Sequence, residues 1–513
     1  PEQYSTTKLR EGTEYISQSD VTRYSDNVFY LDARLNYARS FGKHNVTAMA
    51  MYMMRQYISS VLPQRNQGFS GRATYDYDNR YLAEFNFGYN GTERLEAGKR
   101  YEFFPAMSLG WVASNEKFWT PIIDVVNYFK LRSSYGLVGS DETGLYAGAP
   151  HYLYLSNVNM NGGGNFESGV TGGFSQRGPM VNSYPVSNAC WERATEFDIG
   201  VDLQLFKQFN FTFDWFSSKR DRILMKRASF PSVLGYQNAI PWANVGKVDN
   251  MGFEFSANWT KQINKDWFID ARVNWTYSKN KYVYVDEPDY PYVWQTQTGK
   301  PLDAMRGYIA DGLFESQAEI DASPDQSIFG STIMPGDIRY RDINGDNKIT
   351  AEDQVMLSPY GNMPRIQYGF GISVQWKDLD VNVFFNGSAK RNIMLTGMYP
   401  FCANDSNDNN LMKWIADSHW SEGADNSNVL YPRLGTLSTQ ISNNNQPSSW
   451  WMRDGSFLRF KTLEIGYRLK WFRLYFSADN LAVWSKFKYW DPELSFNSYP
   501  LQRTFNIGLQ FNL

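Results

Sequence analysis

The 513-residue chain carries two cysteines and three histidines, too few for a disulfide scaffold or a zinc-binding array. Cys190 and Cys402 both fall in polar segments, and no sequence rule pairs them. Charge of one sign is also missing: 50 Lys and Arg stand against 53 Asp and Glu. That balance speaks against a nucleic-acid partner, which calls for a basic face. No run of 18 apolar residues occurs, so a bundle of membrane-spanning helices is excluded. Neither an initiating Met nor a signal peptide precedes Pro1, and the sequence is expected to be a mature or truncated piece.

What is abundant is aromatic: 35 Phe, 34 Tyr and 17 Trp. Mean hydropathy is nevertheless −0.50. A chain rich in aromatics yet polar on average suits a membrane β-barrel with a wet lumen, an apolar outer wall and aromatic girdles. The periodicity agrees. Trp267, Ile269, Ala271, Val273, Trp275 and Tyr277 alternate with Asp270, Arg272, Asn274, Thr276 and Ser278. Leu31, Ala33, Leu35 and Tyr37 alternate with Asp32, Arg34 and Asn36, and Phe505, Ile507, Leu509, Phe511 and Leu513 with Asn506, Gly508, Gln510 and Asn512.

Connection lengths separate a barrel from a soluble sandwich. Tight turns are expected at Gly42–His44, Asp78–Arg80, Lys207-Gln208, Lys261–Lys265, Lys377-Asp378 and Lys470–Phe472. Long polar segments near 139–190, 283–362 and 391–453 fall between them. Short periplasmic turns facing long extracellular loops are the signature of outer-membrane barrels. The expected fold is therefore all-β: residues 1–513 form part of one transmembrane antiparallel β-barrel, with roughly sixteen strands. Glu315–Ile320 and Trp414–Trp420 are expected as short helical turns within loops. Stretches such as Asn161–Asn165 and Asn443–Asn445 are expected on the solvent-exposed loop surface.

One loop segment matches a metal-binding pattern. Asp342, Asn344, Asp346 and Asp353 stand at positions 1, 3, 5 and 12 of a twelve-residue calcium loop, with Lys348 supplying the carbonyl at position 7. Asn347 replaces the usual glycine at position 6, and Asp353 the usual bidentate glutamate. Two readings stand: a structural calcium that stiffens the loop, or an Asx-rich turn ordered by its own hydrogen bonds. No other cofactor is expected.

Catalytic patterns are missing around His44, His151 and His419, and the adjacent Asp286 and Glu287 read as solvated charge, not as a glycosidase pair. The chain is not expected to be an enzyme. Tyr152, Tyr154, Trp242, Tyr292, Trp294, Trp450 and Trp451 lie in or beside loops. They are read first as interfacial girdle or loop core, and second as faces for sugars or peptides in a substrate site.

Several blocks, in order, resemble the SusC/RagA family of TonB-dependent outer-membrane transporters. Phe104-Pro105-Ala106-Met107-Ser108-Leu109-Gly110-Trp111 followed by Glu116-Lys117-Phe118 is one, and Phe129–Gly139 another. Trp191-Glu192 with Ile199–Asp202, Asn244–Glu254, Pro335–Asp353, Asp454–Lys461, Asn480-Leu481 and Asp491-Pro492-Glu493 complete the series. The resemblance implies the last sixteen or so strands of a barrel of about 22, with the plug domain absent from this chain. It also implies import of oligosaccharides or peptides, a SusD-like surface lipoprotein as lid, contact with TonB through the missing N-terminal part, and outer-membrane lipid around the wall. Alternatives are a passive sixteen-stranded porin and a secreted calcium-dependent carbohydrate-active β protein.

Overall fold

In a computed structural model the chain is described except for residues 1–24, 60–61, 142–150, 171, 187, 232, 234–238, 396–411, 436–439, 495–497 and 512–513. Fifteen strands form one antiparallel sheet in strict sequence order. They are β1 Asn27–Phe41, β2 His44–Ile58, β3 Gln64–Tyr77, β4 Tyr81–Thr92, β5 Tyr101–Val112, β6 Val126–Ser140, β7 Glu192–Leu205 and β8 Phe209–Lys226. There follow β9 Trp242–Gln262, β10 Trp267–Tyr284, β11 Ile366–Trp376, β12 Leu379–Ala389, β13 Phe457–Arg468, β14 Phe472–Ser485 and β15 Thr504–Phe511. Against the roughly sixteen strands expected from the sequence, the sheet holds fifteen among the described residues. There β1 pairs with β2 alone and β15 with β14 alone, so the described sheet keeps two edges.

Cross-strand partners share a face, so the register shows whether apolar positions line up. One row runs Ile199–Trp215–Phe253–Tyr277–Ile366, and the next Leu131–Val201–Phe213–Phe255–Trp275–Tyr368. Another runs Ala271–Ile372–Val383–Leu463–Ala478–Phe505. Leu131, Phe213, Ile372 and Phe505 in these rows are exposed, Ala478 is buried, and elsewhere on the same face Leu35 and Ile507 are exposed by 78% and 79%. A continuous exposed apolar band of this extent is stable only against lipid. The opposite face carries Arg132, Asp198, Asp202, Asp214, Arg272 and Asn274, as the period-2 reading predicts. No helix among the described residues is long and apolar enough to cross a membrane; the strands are the crossing elements.

Connections segregate by length. Short turns occupy 42–43, 78–80, 206–208, 263–266, 377–378 and 469–471 at one end. Asp78 and Asn79 have φ of 55° and 52°, the left-handed pair of a hairpin turn whose twist matches the strands. One connection at this end is longer than expected: residues 113–125, where the 3-10 turns Ala113–Asn115 and Lys117–Ile122 intervene. At the other end, the segments after β6, β10 and β12 are the long ones foreseen, joined by two more at 227–241 and 486–503. The expected short helices appear as α1 Gln317–Asp321 and α2 Lys413–Ala416.

Candidate functional site

The long connections build a cap. Tyr308, Ile338, Tyr340, Ile349, Ile393, Leu395, Ile415, Tyr431, Trp451 and Phe487 form one buried cluster drawn from three connections far apart in sequence. Short ladders stiffen it: Met305–Gly307 with Val355–Ser358, Ala310–Leu313 with Ile338–Tyr340, and Asn392–Met394 with Met452–Asp454. Gly336 (φ 90°) permits the close approach of Trp420, whose ring would lie 2.4 Å from any added Cβ.

The cap corrects the reading of Asn443–Asn445 as exposed surface. Asn443 and Asn444 are 0% and 1% exposed. The Asn444 Oδ1 accepts from the Ile338 amide at 2.8 Å, and the Asn443 Nδ2 donates to the Ile338 carbonyl at 2.9 Å. Gln326 joins them, donating to Asn443 Oδ1 and accepting from the Tyr340 amide, both at 2.8 Å. The physical reason is satisfaction: a short buried strand exposes amides and carbonyls that must find partners, and a primary amide both donates and accepts. Asp337, fully buried, accepts from Asn444 Nδ2 at 2.8 Å and pairs with Arg433 at 2.7 Å. Burial pushes the Asp337 carboxyl above the usual range, against the downward pull of Arg433 and its other donors.

A second buried cluster lies among other loop ends, with Leu95, Phe104, Leu153, Val186, Ala189, Trp191, Leu224 and Trp242. The aromatic candidates divide between the two regions. Trp242 belongs to the second cluster, and the Tyr152 hydroxyl donates to the distant Pro63 carbonyl and meets Glu93. Tyr154 meets Tyr152 edge-on. Trp294 stacks on Tyr292 at 4.5 Å and donates to the Glu352 carbonyl at 2.7 Å. Trp451 is core, donating to the Asn444 carbonyl at 2.6 Å, whereas Trp450 lines a cavity of about 870 Å³ with Trp420, Phe314 and Arg339.

The 342–353 loop is tied to itself. Asp342 accepts from the Gly345 and Asn347 amides at 2.7 and 2.8 Å, Asn344 from Asp346 at 3.1 Å, and Asp346 from Lys348 at 2.9 Å. Asp353, fully buried, accepts from Ile343 and Thr350 at 2.8 and 2.7 Å. Asn347 takes the left-handed φ of 64° at the glycine position. Among the described residues no group of three or more His, Cys, Asp and Glu converges to hold a metal. The loop's side-chain oxygens are met by its own backbone donors.

Other polar candidates are engaged locally. Asp286 accepts from the Ser229 amide and hydroxyl at about 3.1 Å and pairs with Arg227 at 3.2 Å, and Glu287 accepts from Gln297 and Thr298. Burial acts to raise the Asp286 carboxyl, but Ser229 and Arg227 outweigh it and hold it below the usual range. His44 meets the Tyr75 hydroxyl, and His419 the Ile415 and Ala416 carbonyls. Cys190 is free, and Cys402 lies outside the described residues.

On the polar face, Arg132 reaches Asp198, Asp202 and Asp214 at 3.5, 3.3 and 2.6 Å, crossing three strands. Arg473 likewise joins Asp380 and Glu464. These networks make a charged wall that no lipid could face, beneath a folded cap.

Comparison with known proteins accords with that architecture. The chain is 24% identical over 93% of its length to TonB-dependent receptor P3 of Formosa agariphila, covering 51% of it. It is 25% identical to the TonB-dependent receptor SusC of Bacteroides thetaiotaomicron, over 86% of this chain and 43% of the relative. The chain thus spans about half the length of the curated relatives it matches. The solved RagAB peptide importer in its closed-closed state superposes with a TM-score of 0.69 at 18% identity, over 95% of this chain and 56% of that one, a likeness of fold. A family model described as TonB dependent receptor-like, beta-barrel matches residues 2–481. The chain belongs to that family of outer-membrane β-barrels.

Proposed function

We propose that this chain forms barrel wall and extracellular cap of a TonB-dependent importer for oligosaccharides or peptides, acting as a transporter and not an enzyme. The observation that carries the reading is the pairing of a charged inner wall with a cap that has its own hydrophobic core. A passive pore needs an open mouth; a gated importer needs a shaped one. RagAB, with the same fold, is a peptide importer, and SusC is a TonB-dependent receptor. By analogy a SusD-like surface lipoprotein closes over the cap, and TonB acts through a plug-bearing part outside the described sheet. The 342–353 loop stiffens the cap through its own hydrogen bonds, without calcium.

The test is extraction from outer membranes in detergent, followed by intact mass of everything that co-purifies, and substrate uptake with and without TonB. A heavier parent or companion chain together with a lipoprotein, and uptake lost without TonB, is the expected result. A lone 59.3 kDa species conducting without TonB would establish the porin instead.

A further inference from the structure

The polar wall holds a pocket of about 460 Å³ where β10, β11 and β12 meet the cap. Its volume lies within the roughly 300–1,000 Å³ that small-molecule sites occupy. Asn274, Thr276, Gln367, Asn386 and Ser388 line it, and the register places them in two adjacent rows, Thr276–Gln367–Ser388 and Asn274–Gly369–Asn386. All five are neutral, and each offers a hydroxyl or a primary amide. The Ser388 hydroxyl and the Asn386 Oδ1 have no protein partner, and Ser388 is only 5% exposed. Unpaired buried polar groups cost free energy unless something meets them.

Charge around the pocket cancels. Glu493 on its rim is paired with Arg459 at 2.8 Å, which also binds Asp491 at 2.8 Å. Arg391 donates to Asn362 Oδ1 at 2.7 Å and to the Pro492 carbonyl. Two cations thus face two anions. Phe384 and Phe457 add apolar surface, the Phe384 ring lying against Gly369 and Gly371, where an added Cβ would meet it at 3.1 and 2.9 Å.

From these features, and resting on the importer reading, we infer that this wall pocket binds an uncharged saccharide unit. Strand geometry sets the side chains on a grid of about 4.8 Å across strands and about 6.8 Å along them. Such a grid of groups that donate and accept meets hydroxyls arranged around a ring, while Phe384 takes an apolar ring edge. An extended peptide presents its amides along one line and would leave one row unmatched. No unpaired charge lines the pocket itself; Arg272, over the Phe384 ring at 5.3 Å, lies outside the lining.

The full-length transporter in detergent is titrated with maltohexaose, cellohexaose, mannohexaose and the neutral peptide Gly-Ser-Asn-Gly-Ser-Asn, as wild type, Asn386→Ala and Thr276→Val. The shift in gel mobility on heating verifies that each variant is folded, and the second variant decides if the first is not. At least one hexasaccharide should bind, about tenfold more weakly in either variant, with the peptide inert. Binding by the peptide alone, by no probe, or by a hexasaccharide equally in wild type and folded variants overturns the assignment. TonB-dependent uptake separates the two proposals: if it persists while saccharides fail to bind, the importer reading stands and this site falls.

Discussion

The amide side chains of Asn443 and Asn444 take the place of a neighbouring strand, satisfying the backbone of Ile338 from inside the cap core. Asn443→Ala removes one donor and one acceptor there and leaves buried groups unpaired, at a cost of about 1–3 kcal/mol. Hydrogen exchange in the cap should report it: amide protection across 326–340 falls while that of the barrel strands holds. Asp286 makes a pH-dependent contribution. Its folded-state pKa lies below the ordinary 3.8, so its stabilisation is fully present above about that value and is lost as pH falls through the folded pKa. Protease cleavage in the segment after β8 is expected to rise below pH 4, and Asp286→Asn to show the same susceptibility at neutral pH. These roles were invisible in the sequence. Three asparagines in a row read as a turn, because nothing local announces that a distant edge needs them, and Asp286 beside Glu287 looks like any solvated acid pair.

Strands and loops were legible to different degrees. The alternation at Trp267–Ser278 is a local property of one segment, and the wall follows from it directly. Turns at Asp78-Asn79 and Lys377-Asp378 were readable from hydrophilic breaks between alternating runs. The cap was not: Ile338, Ile349, Ile415 and Trp451 stand isolated among polar neighbours, and only tertiary contact gathers them. The 342–353 element lay between these extremes, its spacing clear and its chemistry divided. Because its carboxylates and amide oxygen are met by backbone donors, adding EGTA should leave cap protection and thermal unfolding unchanged. A rise in midpoint with added calcium, lost in Asp342→Ala, would instead restore the metal reading.

Across the whole molecule, the two faces of the wall set opposite rules. Ile199 points to lipid and Thr212 to the lumen, beside Asp202. Ile199→Arg should destabilise by about 2–4 kcal/mol if near the bilayer midplane. Thr212→Arg should be close to neutral. Urea unfolding in lipid vesicles compares the two. The outward rows ask for greasiness alone, so Val, Leu, Ile and Phe are interchangeable there as long as width and girdle are kept. The inner part of the cap asks for atoms at fixed points: a leucine, an aspartate or a glutamine at 443 each loses a bond that the native amide makes. Saturation mutagenesis scored by surface display would therefore invert the familiar pattern of soluble proteins. Tolerance would be broadest at the most hydrophobic positions and narrowest at a pair of small polar residues in a long connection, so that sequence drift in this barrel is steered by its asparagines more than by its leucines.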